Sequence, residues 1–237
     1  MKPRRLPAPD GIDLWLVVGP GTESEHSALC DLLSEDESAR ASGFKVEHAR
    51  DSFIVSRGFL RTILGDALAC APEAIRFGEG EHGKPLLTGA HAESGIEFNV
   101  SHSGDVFLYA VSRGRTVGVD VEWKKEGLAV EAIARRYFAP GEARLLLEQA
   151  PSEQRLPNFY RCWTRKEAYL KAKGTGLTTE LHAFEVTFLP GVPPRSCTQR
   201  STVRIPPTGG SSKCRCPTAT SPPWWHGVSV QTPSAGL

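Results

Sequence analysis

Apolar and polar positions alternate most strictly over residues 116–123, where Val117, Val119, Val121 and Trp123 are separated by Gly118, Asp120 and Glu122. A period of two puts one set on each face of a strand, so Asp120 and Glu122 project side by side opposite the valines. A second stretch, residues 159–171, has a helical period. Phe159, Trp163 and Leu170 fall near one face there, and Glu167 and Lys171 stand one turn apart on another. Further strands are expected at 12–18, closed by Gly19-Pro20-Gly21, and at 75–77, 97–100 and 184–189. Val106 to Ser112 reads as the hairpin partner of the Asp120 strand, across Arg113-Gly114-Arg115.

Ser34 with Glu37 three residues on is a capping-box pattern, which predicts a helix start. A longer helix follows, with Val46, Arg50, Phe53, Ile54, Arg57, Leu60, Ile63 and Leu64 spaced by three or four up to Gly65. Residues 130–138 read as helix, and Pro140 with Gly141-Glu142 opens another through Leu147. Pro157 is expected to precede the helix of 159–171, which Gly174-Thr175-Gly176-Leu177 ends.

At 237 residues the chain can bury one large core or two of about 100 residues each. A formal net charge of +1 gives no whole-chain case for nucleic acid or a membrane surface, so any anion site is local. The basic start Met1-Lys2-Pro3-Arg4-Arg5 is followed by an apolar run, Leu14 to Val18, too short for a signal peptide's core. No stretch approaches a membrane span. The six cysteines include no Cys-x-x-Cys pair, and no histidine spacing suits zinc, so a reducing cytoplasm is the expected setting.

Three carboxylates and a lysine that converge suit a hard divalent cation shared with a phosphate. Mg²⁺ takes oxygen ligands, usually one or two carboxylates, with waters and phosphate oxygens completing an octahedron. The plainer reading makes Glu167 and Lys171 a surface i,i+4 ion pair and the strand carboxylates solvated. Lys84, between Gly83 and Pro85 in a loop of turn residues, sits on backbone that can approach a ligand closely. Ser101, His102 and Ser103 at a strand-to-turn corner offer donors for phosphate oxygens, with a local structural role for His102 as the alternative. A Ser-His nucleophile pair is rejected, because adjacent strand residues point to opposite faces. Arg40, Arg50 and Arg57 form a basic region whose simplest role is a solvated face.

Four stretches together resemble the Sfp-type 4′-phosphopantetheinyl transferases: Gly83-Lys84-Pro85-Leu86, Phe98-Asn99-Val100-Ser101-His102-Ser103, Gly118-Val119-Asp120-Val121-Glu122, and Trp163-Thr164-Arg165-Lys166-Glu167 through Lys171. The resemblance spans roughly residues 12 to 190. It implies an α+β fold of two pseudo-symmetric sheet-plus-helix halves, 1–115 with coenzyme A contacts and 116–190 with the metal site and signature helix. It implies Mg²⁺-dependent transfer of 4′-phosphopantetheine from coenzyme A to a serine of an acyl- or peptidyl-carrier protein, releasing 3′,5′-ADP. Asp120, Glu122 and Glu167 would then hold the metal, Glu167 would deprotonate the serine, and Lys171 would neutralise phosphate. Lys84, Ser101, His102 and Arg40 would hold the coenzyme, with Arg57 a poorer match, Lys166 a weaker phosphate candidate and Arg50 left at the surface. The length resembles the monomeric, broad-specificity branch, serving fatty acid, polyketide or non-ribosomal peptide synthesis. A non-catalytic coenzyme A or carrier-protein binding module is the alternative.

From Gly191 the character changes. These 47 residues hold eight prolines, three cysteines and no Asp or Glu, and no periodicity survives. The composition reads as disorder, and so abrupt a loss of acidic residues also fits a shifted reading frame. The apolar closing strand that the resemblance implies is not evident here; Val228-Ser229-Val230 is a poor substitute, at best a short edge strand.

Overall fold

The computed structural model describes residues 1–80, 82–175, 179–190, 196–198 and 228–231. Strands β1 (Arg4–Leu6) and β2 (Ile12–Val18) open the chain, and helices α1 (Glu23–Cys30), α2 (Glu35–Ser42) and α3 (Glu47–Leu68) follow. Ser34 closes the expected capping box on α2, its hydroxyl accepting from the Glu37 N–H while the Glu37 carboxylate accepts from the Ser34 N–H. Strands β3 (Arg76–Glu79) and β4 (Pro85–Thr88) form a separate ribbon around the Lys84 loop. Strands β5 (Ile96–Ser103) and β6 (Val106–Arg113) complete a four-stranded antiparallel sheet in the order β1-β2-β6-β5.

That sheet is a middle layer, and its two faces have different partners. Phe107, Tyr109 and Val111 of β6 join Val17 and Phe98 in a core closed by Ile54, Val55, Leu60 and Leu64 of α3. Leu108 and Ala110 join Leu14 and Leu16 on the other face, covered by Val117, Val119 and Val121. β6 is therefore buried on both sides, which explains its unbroken apolar run.

Val119 and Val121 belong to β7 (Gly118–Val121) and Val117 just precedes it, and this apolar face packs as the alternation predicts. Its pairing differs from the expectation. β6 gives one edge to β2 and the other to β5, so no edge remains for a hairpin with β7. β7 leaves the sheet after the Gly114 turn and lies over the sheet's face. Helices α4 (Val130–Tyr137), α5 (Pro140–Arg144) and α6 (Ser152–Lys173) follow, with one π turn at Leu145–Gln149. Pro157 sits inside α6 rather than before it. Being within the first two turns, it removes one hydrogen bond without ending the helix. Gly174 ends α6 in the left-handed conformation (φ 69°), as expected. The expected strand at 184–189 is shorter, β8 (Phe184–Val186), and pairs with β9 (Ser196–Thr198).

Most of 191–237, and with it the expectation of disorder or a shifted frame, lies outside the described residues. Within that stretch, β10 (Val228–Gln231) pairs antiparallel with β7, Val228 opposite Val121 and Gln231 opposite Gly118. Helix α6 packs on both strands. The result is an α+β molecule in which one 22-residue helix, α3, covers the four-stranded sheet and another, α6, covers the β7–β10 pair. No helix among the described residues is long and apolar enough to cross a membrane.

Candidate active site

The site forms where β7 is pressed between the large sheet and α6. Gly118 permits the contact: a Cβ there would lie 2.0 Å from the Ala168 carbonyl oxygen and 2.4 Å from the Ala172 nitrogen. With helix backbone that close, the Asp120 side of β7 faces α6 rather than water, and Asp120 is only 3% exposed. Lys171 Nζ lies 2.7 Å from Asp120 Oδ1 and 2.9 Å from Ser101 Oγ, and Ser101 donates to Asp120 Oδ1 at 3.0 Å. Asp120 Oδ2 is buried and makes no hydrogen bond among the described residues.

Burial pushes the Asp120 carboxyl up to about 6 and the nearby Glu122 charge adds to this, outweighing Lys171 and Ser101, which act the other way. Glu167 is raised by its burial, opposed by Lys171 and reinforced by Glu122. The three carboxylates and the ammonium thus share one electrostatic field. Among the described residues no three Asp, Glu, His or Cys side chains are drawn together as a ready-made metal cage.

His102 points away from Ser101 on β5, its ring centroid 5.7 Å from that of Phe107. Partial burial lowers its pKa, and Lys171 and His48 lower it further. Lys84 is half-buried, which lowers its pKa, with Glu97 opposing. Its side chain lies against Gly174 at the end of α6, and both line a groove of about 400 Å³. A second basic cluster lies on α2 and α3. Arg40 and Arg57 stand 5.4 and 5.8 Å from the Phe53 ring, and Arg57 Nη1 is buried without a hydrogen bond among the described residues.

Comparison with known proteins decides the kinship. One family model, described as the 4′-phosphopantetheinyl transferase superfamily, matches residues 116–219, and a second, described as the N-terminal region of 4′-phosphopantetheinyl transferase, matches 20–113. The chain is 40% identical over 184 residues to 4′-phosphopantetheinyl transferase HetI of a Nostoc species, covering 78% of this chain and 77% of that one. This chain belongs to the 4′-phosphopantetheinyl transferase family. It is also 33% identical over 169 residues to 4′-phosphopantetheinyl transferase Sfp of Bacillus subtilis, over 65% of this chain and 71% of that one. The superfamily match runs to residue 219, beyond residue 190 where the motif resemblance ends.

In this transferase, hydrogen bonds join Ser101, Asp120 and Lys171, and the charges of Glu122 and Glu167 act on the same cluster. His102 points off the other side of β5, where the Lys171 charge still acts on it, and Lys84 lies beside Gly174 at the end of α6. Arg40 belongs to the separate basic cluster, and Arg50 is exposed in pairs with Glu47 and Asp51. Lys166 is elsewhere altogether: its fully buried ammonium lies 2.7 Å from Glu142 Oε2 and donates to the Leu181 and Phe184 carbonyls at 2.8 and 2.5 Å. Lys166 faces away because it is one residue before Glu167, about 100° around the helix. It is therefore not open to a phosphate. Asn99 was not singled out from sequence, yet its Oδ1 accepts from the Val119 N–H at 2.9 Å and helps to hold the carboxylate strand. The Asn-x-Ser-x-Ser alternation along β5 was the available signal.

Proposed function

We propose that this transferase takes the 4′-phosphopantetheinyl group from coenzyme A and attaches it to a serine of an acyl- or peptidyl-carrier protein, with Mg²⁺ at the carboxylate cluster. The observation that carries the cation is the buried Oδ2 of Asp120, which lacks a hydrogen bond among the described residues beside a field of two further carboxylates. Such an oxygen fits a cation. Asp120, Glu122 and Glu167 would hold Mg²⁺, and since waters and substrate phosphates complete its shell, no protein cage is needed. When bound, the ion supplies Lewis-acid stabilisation of charge on the diphosphate oxygens.

The remaining chemistry falls to the chain's own groups. Glu167, whose raised pKa makes it the better base, takes the proton of the serine hydroxyl. The serine oxygen bonds to the phosphorus of the pantetheine phosphate while the bond from that phosphorus to the bridging oxygen breaks. The electron pair leaves with 3′,5′-ADP, whose added negative charge Lys171 offsets. Lys84 and His102 hold the coenzyme beside the carboxylates, and Arg40 with Arg57 meets a more distant phosphate. Ser101, whose hydroxyl proton goes to Asp120, steadies that carboxylate rather than a phosphate. Free thiols at Cys30, Cys70 and Cys162 support a cytoplasmic setting, and a monomer is the proposed form.

A fluorescent coenzyme A analogue, offered with a panel of carrier domains, tests the reading. EDTA should stop labelling and added Mg²⁺ restore it. Labelling that persists without divalent ions overturns the cation, and coenzyme A binding without labelling of any carrier favours the binding-module alternative.

A further inference from the structure

β7 is held to β5 by side chains where no ladder of main-chain bonds joins them. Asn99 Oδ1 accepts from Val119 N at 2.9 Å, Ser101 Oγ from Val121 N at 3.2 Å and Ser103 Oγ from Trp123 N at 2.9 Å, each bond spanning 20 residues. The constant separation means that the two strands run in step, in the same direction. Two of the three residues do something more. Ser101 donates to Asp120 Oδ1 at 3.0 Å, and Ser103 donates to Glu122 Oε2 at 3.3 Å. Each hydroxyl accepts from one amide of β7 or of its continuation to Trp123 and donates its only proton to the carboxylate one residue earlier. The unit at Ser103 repeats the unit at Ser101, two residues further along both strands.

We infer that Ser103 is a positioning residue for Glu122, its hydroxyl fixed by the Trp123 amide and aiming the carboxylate into the site. The inference rests on the cation reading above, since the orientation matters to a ligand that Glu122 would hold. Groups that hydrogen-bond to metal ligands set ligand orientation, and their loss typically weakens metal binding ten- to a hundredfold. Asn99 is the internal control. It anchors the same strand, but no hydrogen bond joins it to a carboxylate among the described residues.

Mn²⁺ binding to the purified full chain, followed by electron paramagnetic resonance with and without coenzyme A, separates the two roles. Ser103→Ala should weaken Mn²⁺ binding about tenfold, and Ser103→Thr, which keeps the hydroxyl, should restore it. Asn99→Ala should lower the melting temperature and cost clearly less Mn²⁺ affinity than Ser103→Ala, since Asn99 holds the strand without a hydrogen bond to a carboxylate among the described residues. Should Ser103→Ala fail to fold, Ser103→Cys keeps the volume with a weaker donor and should show the same loss. Wild-type affinity in the folded Ser103 variants, or an equal loss in Asn99→Ala, overturns the inference. A wild-type chain that binds no Mn²⁺ under either condition overturns the cation reading, and this inference with it.

Discussion

Asp120 accepts from Ser101 and Lys171 through one oxygen and still has a carboxyl held up at about 6, because burial of the group costs more than one ammonium returns. Its folded value lies above the ordinary 3.8, so the folded chain keeps a proton that the unfolded chain has released. The contribution to stability is complete below pH 3.8 and is lost as pH rises through about 6. Asp120→Asn keeps the shape and removes the charge, so without divalent ions it should melt above wild type at pH 7.5. The difference should close toward pH 4, and equal melting at pH 7.5 would refute this account. Activity should move the opposite way: Asp120→Ala and Glu167→Ala should each lose on the order of a hundredfold or more in labelling rate. Near-wild-type rates in either variant would contradict their roles. At this scale the sequence was informative where types and spacing combined, as for Asp120, Glu122, Glu167 and Lys171. It misled at Lys166, where a motif position shared by helix neighbours hid a side chain buried on another face.

Contact between α6 and β7 is what turns two separate patterns into one site. Gly118→Ala should force the helix backbone away, since the added carbon would sit 2.0 Å from a main-chain oxygen that cannot rotate aside. A loss of about 1–3 kcal/mol or more is expected, read by urea unfolding, together with loss of labelling. Unchanged stability would mean that α6 and β7 are not in contact. The alternation in residues 117–123 correctly assigned the valines to a core face. It could not name the strand's partners. A hairpin turn was legible at Gly114, but both edges of β6 are filled by sequence-distant and sequence-near strands, and β7 pairs instead with β10, more than 100 residues on. Asn99, Ser101 and Ser103 occupy a face that local reading could call polar, without saying that the polarity serves another strand's amides.

At the scale of the whole molecule, three apolar clusters among the described residues hold the elements together: one under α3, one between the sheet and β7, and one among α4, α5, α6 and β8. In the last, Glu142 accepts from the Ala139 and Val186 amides and pairs with Lys166, tying α5 and β8 to α6. Burial raises the Glu142 pKa against the pull of Lys166. Lys166→Met strands that carboxylate and should cost about 3–5 kcal/mol, whereas adding Glu142→Gln should recover part of the loss. A double-mutant cycle with zero coupling would show that the pair is incidental. The amino-acid order alone determined the strands with period two, the capped and glycine-ended helices, and the residue types able to meet a cation and a phosphate, because those depend on neighbours within a few positions. Which carboxylate is buried, which lysine reaches it and which strand covers β7 were decided only in three dimensions. Desolvation and helix-on-strand packing depend on segments 50 or more residues apart, and local pattern carries no record of that distance.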